Sequence, residues 1–470
     1  MRRSGNHDYV DQDSGHVAKI LILLYVVTCL ILCGGNVFGF TPLKQVFLDE
    51  GIYRETCYTD DDDDDDDDDD VIVPCEEQLN NLDKMFTIAG SLFSVWLLPA
   101  GFCLRFLGPR VSFLLGFAFV FAGSIMFTMT SPDYYTLAYV TIGSGNPLLY
   151  ISAFNFSKLY PTSSNLLLSI FIGCFGFSSI VFYIFNAIHF RYGVSSKQLF
   201  AGFSTIPLLL ALVGMTILPP DPYHIQYQKK LEAMKDDGLF NERTPLRRSG
   251  DDDPEKVVSQ NPMSDRAQPL KERSIHQQLT SAPFLAQVIF FCWGMLHQNF
   301  YMGTLGDQLF MFANGDGRAE ATSTEILQKF ALVYPFGCIL SIIPVGTLVR
   351  NTSVSTSLFV YCTANLLFAG LSLVPSVQMQ WLTSSIYIVV RVGFFTVMST
   401  YSASVFGFQN LSAIFGCAGC LAGLCSLLGV VLSHRALHVD HSFAVVNSIM
   451  FLGAALNVLL PAMVRHYWEN

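Results

Sequence analysis

The chain is 470 residues long, 51% hydrophobic and only 14% charged, with 40 phenylalanines. A soluble globular protein carries about 25% charged residues, so this composition excludes an ordinary water-soluble globule and points to lipid. The formal charge of −11 comes from one run of eleven aspartates, Asp60 to Asp70, and the rest balances at 27 acidic against 27 basic residues; the low pI therefore describes one segment and not a surface.

Residues 1–16 read as a polar tail. A helix needs roughly 20 apolar residues to cross a bilayer. Segments near 17–40, 82–104, 110–129, 134–156, 164–188, 199–218, 283–305, 326–349, 354–373, 380–403, 411–433 and 441–464 meet that requirement. Strand alternation is absent, and helices satisfy their own backbone groups in lipid. The expectation is an all-α polytopic membrane protein with twelve transmembrane helices. The first apolar run is long and follows a polar tail, so it reads as a span and not as a cleaved leader.

Residues 41–81 then form a loop that carries the aspartates. Like charges repel, so the tract is expected to be extended and hydrated. Its field fades within ~8 Å at physiological salt. The tract thus reads as a loop insertion, and shortening it is expected to leave the protein's activity largely intact at normal surface expression. Cys57 and Cys75 flank it; two cysteines in one extracytoplasmic loop either pair as a disulfide or stay as free thiols. The first half, 17–218, is separated from the second, 283–464, by a polar linker at 219–282 with 10 Lys/Arg and 11 Asp/Glu. That composition cannot bury a core. Six spans, a long central loop and six more spans are the layout of the major facilitator fold. The basic residues of the linker place it, the N-terminal tail and the C-terminal tail (465–470) in the cytoplasm, and the tract on the other side. Sequons at Asn155, Asn351 and Asn410 then fall in a span or on the cytoplasmic side. None is expected to carry a glycan, and a glycan at Asn351 would reverse the orientation. "RRSG" occurs at 2–5 and at 247–250, so Ser4 and Ser249 read either as basophilic kinase sites or as unmodified tail.

No enzyme constellation is present: no phosphate-binding loop, no zincin histidine pair, no set of CxxC pairs. The expectation is a non-enzyme with no cofactor, no metal and no nucleic-acid partner. Cys417-Ala-Gly-Cys420 lies among Gly416, Gly419 and Gly423, which reads as a close helix contact rather than a redox site. Ionisable residues inside spans are functional candidates by default. Arg391, midway through span ten, reads as a clamp for a substrate carboxylate; the competing reading is a cation held by backbone carbonyls at a helix contact. Span seven carries His297, Gln298, Asn299 and Tyr301, either a wetted cavity face or a satisfied core histidine with its neighbours. Glycine or proline with polar groups interrupts span one at Asn36, span four at Asn146 and span five before Ser178. Such breaks expose backbone to substrate in carriers. Phe175, Phe300 and Phe394 are candidate apolar walls. Asp83 and Asp307 sit near span ends and no carboxylate sits at mid-span, which favours facilitated movement. His297 titrates nearest to neutral among central groups, so proton coupling stays open.

The stretches "GGNVFGFTPLKQVFLDEGIY", "GNPLLYISAFNFSKLYP", "GCFGFSSIVF", "HQNFYMGTLGDQL" and "IYIVVRVGFFTVMSTYSASVFGF" resemble the system-L-type large neutral amino acid transporters of the major facilitator superfamily, including fungal and protist relatives. The resemblance covers nearly all twelve spans but not the linker or the aspartates. It implies two six-helix halves and sodium-independent, facilitative, alternating-access movement of neutral amino acids, with Arg391 at the arginine of the family's span-ten pattern. Some relatives carry cationic or aromatic amino acids or purine bases. Facilitators also carry an acidic residue in the loop after span two. Here "GFCLRFLGPR" keeps Gly101, Gly108 and Arg110 but has Arg105 at the acidic position, so the usual charge relay at this gate cannot form. The expected function is a plasma-membrane carrier of large neutral amino acids. The alternatives are an endomembrane location, a nucleobase or cationic substrate, and a nutrient receptor on the same scaffold.

Overall fold

The computed structural model describes residues 7–57, 76–160, 164–219, 270–313, 316–407 and 410–464. The aspartate tract, Cys75, most of the linker, Ser4 and Ser249 lie outside the described residues.

Among the described residues, nine helical segments are long and apolar enough to cross a membrane. One of them, Glu77–Met129, contains two traverses, because the helix α3 (Glu76–Met129) breaks at Gly108. Gly108 takes φ 81° and ψ 170°, a backbone geometry that an L side chain resists. Pro109 follows it at the start of the next helix, where its missing N–H costs nothing. With α4 (Tyr135–Phe154) and the 32-residue helix Ala282–Ala313, the bundle has the twelve expected traverses. The chain is a multi-pass membrane protein with an all-α fold.

Span one is longer than its hydropathy suggests. The helix α1 (His7–Cys29) runs into a π-turn at Leu30–Gly34, a 3₁₀ turn at Asn36–Phe38 and then α2 (Phe40–Asp49). Residues 41–49, expected in the loop, are therefore helical. Phe40, Leu43, Val46 and Phe47 supply the buried stripe at helical spacing that holds α2 in the bundle. The first half continues with α5 (Ser164–Phe177), α6 (Ile180–Tyr192) and α7 (Ser196–Ile217). Cys57 is disulfide-bonded.

The second half begins with the short α8 (Ile275–Leu279). Gln278 on it donates to the carbonyls of Leu270 (2.8 Å) and Phe406 (3.2 Å) and accepts from Asn410 (2.9 Å). These bonds pin the end of the linker to the second half. Then come α9 (Ala282–Ala313), α10 (Gly317–Asn351), α11 (Val354–Ser372), α12 (Gln380–Phe406), α13 (Leu411–Ser426), α14 (Leu428–His438), α15 (Ala444–Asn457) and α16 (Leu459–Val464).

The halves meet along α3 with α13 and along α5 with α10. The glycines of α13 explain the first contact. A Cβ on Gly416 would sit 2.6 Å from the Leu97 carbonyl oxygen, and one on Gly423 would sit 2.7 Å from that of Ser91. Cys417 and Cys420 are free thiols on this glycine-lined helix, which is the packing role that their setting suggested.

Candidate functional site

The centre of the bundle is built around Arg391, on α12. Its side chain is 3% exposed. Nη1 donates to Gln298 Oε1 and to Asn299 Oδ1, each at 3.2 Å. Nη2 is buried and has no hydrogen-bond partner. The guanidinium lies 4.5 Å from the centre of the Phe38 ring and 5.1 Å from that of Phe395. Phe38 belongs to the broken part of span one and Phe395 to α12, so the cation touches both halves.

A bare cation in a low-dielectric interior is costly. Two amide oxygens and two aromatic faces lower that cost without neutralising the charge; a cation–π contact contributes about 0.5–2 kcal/mol. No ion pair to Arg391 occurs among the described residues. The amides are themselves held. Gln298 Nε2 donates to Tyr361 Oη (3.2 Å), and Asn299 Nδ2 donates to Ser426 Oγ (3.0 Å).

Aromatic side chains from both halves enclose this point. Phe38, Phe93 and Phe175 pack on one another at 5.1–5.6 Å. Tyr150 meets Phe175 at 4.7 Å and Phe395 at 6.2 Å. The Tyr150 hydroxyl is buried without a partner. Of the candidate walls, Phe175 lines the box. Phe394 packs inside the second half on Phe290 and Phe291, and Phe300 lies by Phe443.

Asn146 and Asn36 hold span one open. Asn146 Nδ2 donates to the Cys33 carbonyl (2.7 Å) and to Asn36 Oδ1 (3.0 Å), and its Oδ1 accepts from the Val37 N–H (3.5 Å). Tyr139 donates to the Val37 carbonyl at 2.6 Å. These side chains satisfy backbone groups that the break releases from the helical ladder. A Cβ on Gly35 would lie 2.7 Å from the Phe175 ring and its carbonyl, so glycine lets the unwound turn approach α5. Asn146→Ala is expected to lose these bonds and strand a buried carbonyl, at about 1–3 kcal/mol. A melting temperature lowered by several degrees in detergent, with reduced flux, would be the readout.

The other candidates fall elsewhere. Ser178 caps its own helix by donating to the Phe175 carbonyl (2.7 Å). His297 stacks near Phe368 at 4.8 Å, and Tyr301 donates to Gln380 at 3.2 Å. Both lie on the face of α9 that turns into the second half, away from Arg391. Gln298, noted in the sequence but not placed in the site, bonds the guanidinium instead.

Both faces of the membrane are closed by contacts between halves. On the face where α2 ends and α3 begins (the tract face), Lys44 Nζ lies 2.6 Å from Asp83 Oδ1 and 3.7 Å from Asp307 Oδ1. On the opposite, linker face, Phe154 and Tyr150 pack on Phe415 at 5.6 and 6.4 Å, and a Cβ on Gly101 would meet the Ser412 carbonyl at 2.8 Å. Arg110 Nε donates to the Leu218 carbonyl (2.7 Å), fixing the turn after span two to the end of α7. Arg105 is exposed, with its guanidinium 5.9 Å from the Phe106 ring.

No family model matches the chain. Three curated proteins are similar over most of its length. Protein FMP42 of Saccharomyces cerevisiae is 24% identical over 439 residues, covering 85% of this chain and 84% of that protein. Equilibrative nucleobase transporter 1 of Bos taurus is 23% identical over 441 residues, covering 86% and 87%. Amino acid transporter 6-1 of Toxoplasma gondii is 21% identical over 420 residues, covering 87% and 71%. Among solved structures, the major facilitator proton:xylose symporter XylE superposes with a TM-score of 0.59 at 12% identity, over 97% of each chain. The fold is that of the major facilitator superfamily, and two of these three relatives are named as transporters.

Proposed function

We propose that the chain is an alternating-access carrier of neutral amino acids with large apolar or aromatic side chains. The observation that carries this reading is the unpartnered Nη2 of a buried arginine inside an aromatic box between the halves. A substrate carboxylate on Nη2 would pair a charge that the protein leaves unpaired. The Tyr150 hydroxyl adds a second free donor, while Phe38, Phe175 and Phe395 take the apolar side chain. The ammonium group would meet neutral oxygens near Asn36 and Asn299, since no carboxylate faces the box among the described residues. That pattern disfavours a cationic substrate.

The flanking rings also suit a planar nucleobase, and a relative is named for nucleobase transport. Counterflow in proteoliposomes with a panel of leucine, phenylalanine, arginine and adenine separates the readings. Leucine and phenylalanine exchange is expected. Adenine exchange without leucine exchange would replace this reading with the nucleobase one, and binding without flux would make the chain a receptor.

The location that fits this function is the plasma membrane, with the linker and both tails cytoplasmic. Impermeant lysine labelling of intact cells tests it. Reaction confined to the linker would reverse the orientation.

A further inference from the structure

The Lys44–Asp83–Asp307 cluster holds one cation against two carboxylates. Asp83 is 5% and Asp307 8% exposed. Oδ1 of each faces the Lys44 ammonium, and Oδ2 of each is buried with no hydrogen-bond partner. Among the described residues, no ion pair other than that with Lys44 reaches either carboxylate, and several charged groups nearby are engaged elsewhere. Lys84 is with Glu77, Lys329 with Glu325, Asp49 with His189, Glu50 with Ser196 and Arg435 with Asp440. Among the described residues, one unit of negative charge is therefore left without a counter-ion.

The membership of the cluster gives that charge a consequence. Lys44 and Asp83 belong to α2 and α3 of the first half, and Asp307 to α9 of the second. When the tract face opens, Lys44 and Asp83 stay together as a neutral pair while Asp307 moves into water as a carboxylate. When it closes, Asp307 is buried against a pair that is already balanced. Burying an uncompensated charge costs several kcal/mol, whereas a carboxylic acid costs far less.

We propose that Asp83 and Asp307 form a proton-binding site of the closed tract face: closure takes one proton from the solution on that side, and reopening returns it to the same side. The balance is one carboxylate plus one proton giving one carboxylic acid, whose O–H donates to the other carboxylate. The proton is not carried across. Acid on the tract side thus favours the closed gate, and transport responds to pH there without being driven by a pH gradient. This rests on the alternating-access reading but on no particular substrate, so the test uses none.

Met302 lines a small cleft with Phe38, Gly39, Thr41 and Pro42 of span one and Tyr334 of α10, and opening would expose it. The full chain with Met302→Cys is labelled with a membrane-impermeant maleimide from the tract side, subtracting the parent chain and the reagent's own pH dependence. Between about pH 5.5 and about pH 8.5 the corrected rate is expected to rise about tenfold, as linkage of one proton gives a tenfold change per pH unit while the site titrates. Asp307→Asn and Asp83→Asn each leave one carboxylate for Lys44, and each is expected to flatten the profile. Two variants guard against a folding defect in one. A flat profile in Met302→Cys alone, or an unchanged slope in both variants, overturns the site. So does a response to sodium in place of protons. Substrate accumulation driven by an imposed pH gradient overturns the return of the proton to its own side. Failure of labelling at every pH overturns the opening motion and this site with it, whereas pH-independent labelling overturns the site alone.

Discussion

Arg391→Ala is expected to lower leucine counterflow in proteoliposomes about 100-fold, with little change in melting temperature in detergent. Among the described residues the guanidinium is the one charged donor that can pair a substrate carboxylate in the box, with the neutral Tyr150 hydroxyl beside it, and a charged hydrogen bond contributes about 1.5–3 kcal/mol. Each 1.4 kcal/mol is tenfold in affinity or rate. Leaving the carboxylate unpaired in a dry site adds to that loss. The protein itself tolerates the change, since Arg391 forms no ion pair and gives up two amide contacts and two ring faces. Arg391→Lys separates charge from geometry. An ammonium keeps the charge but has no fork to reach Gln298, Asn299 and a ligand together, so most of the loss is expected to remain. Normal flux in Arg391→Ala would remove the clamp and leave the aromatic box as the recognition element.

Gly101→Val is expected to lower maximal exchange at least fivefold while leaving the melting temperature nearly unchanged. The added Cβ would lie 2.8 Å from the Ser412 carbonyl oxygen, on a backbone that cannot rotate away. Overpacking of this kind costs about 1–3 kcal/mol. Because Gly101 and Ser412 belong to different halves, the cost falls on the closed linker face and not on the fold of either half. A penalty of about 1–3 kcal/mol shifts the closed population roughly fivefold to 150-fold. If melting temperature fell in step with exchange, the contact would be part of the folded core in every state.

These two sites were legible in the sequence to different degrees. Arg391 stands out because a charge amid "IYIVVRVGFF" has no other business in lipid. Asn36 and Asn146 could be suspected from the glycines and proline beside them, though their mutual bond could not. The neighbours of the guanidinium were hidden for a simple reason. In a chain with 40 phenylalanines, nothing local distinguishes Phe38 and Phe395 from Phe300 and Phe394. On α9 one residue of offset is about 100° of rotation, so Gln298 and Asn299 reach Arg391 while His297 and Tyr301 turn into the second half. The acidic cluster was hidden by distance along the chain. Lys44, Asp83 and Asp307 each lie near the end of an apolar segment, where a charge looks solvated, and only the extension of span one through α2 brings Lys44 between the two carboxylates. In the turn after span two, Arg105 at the acidic position carries the expectation that the usual charge relay is missing, and its exposed guanidinium lies by the Phe106 ring. What takes its place, glycines closing on carbonyls and rings closing on rings, has no sequence signature of its own.

The two closures therefore obey different thermodynamics. The linker face is sealed by Phe154, Tyr150 and Phe415, whose wetting on opening carries the heat-capacity signature of apolar hydration; such contacts weaken on cooling. The tract face is sealed by an ionic cluster, whose hydration on opening carries a heat-capacity change of the opposite sign. Cooling should tilt the resting population toward the linker-open orientation, so the Arrhenius plot of exchange should curve, and an outward-directed thiol reagent should find its target less often in the cold than diffusion alone accounts for.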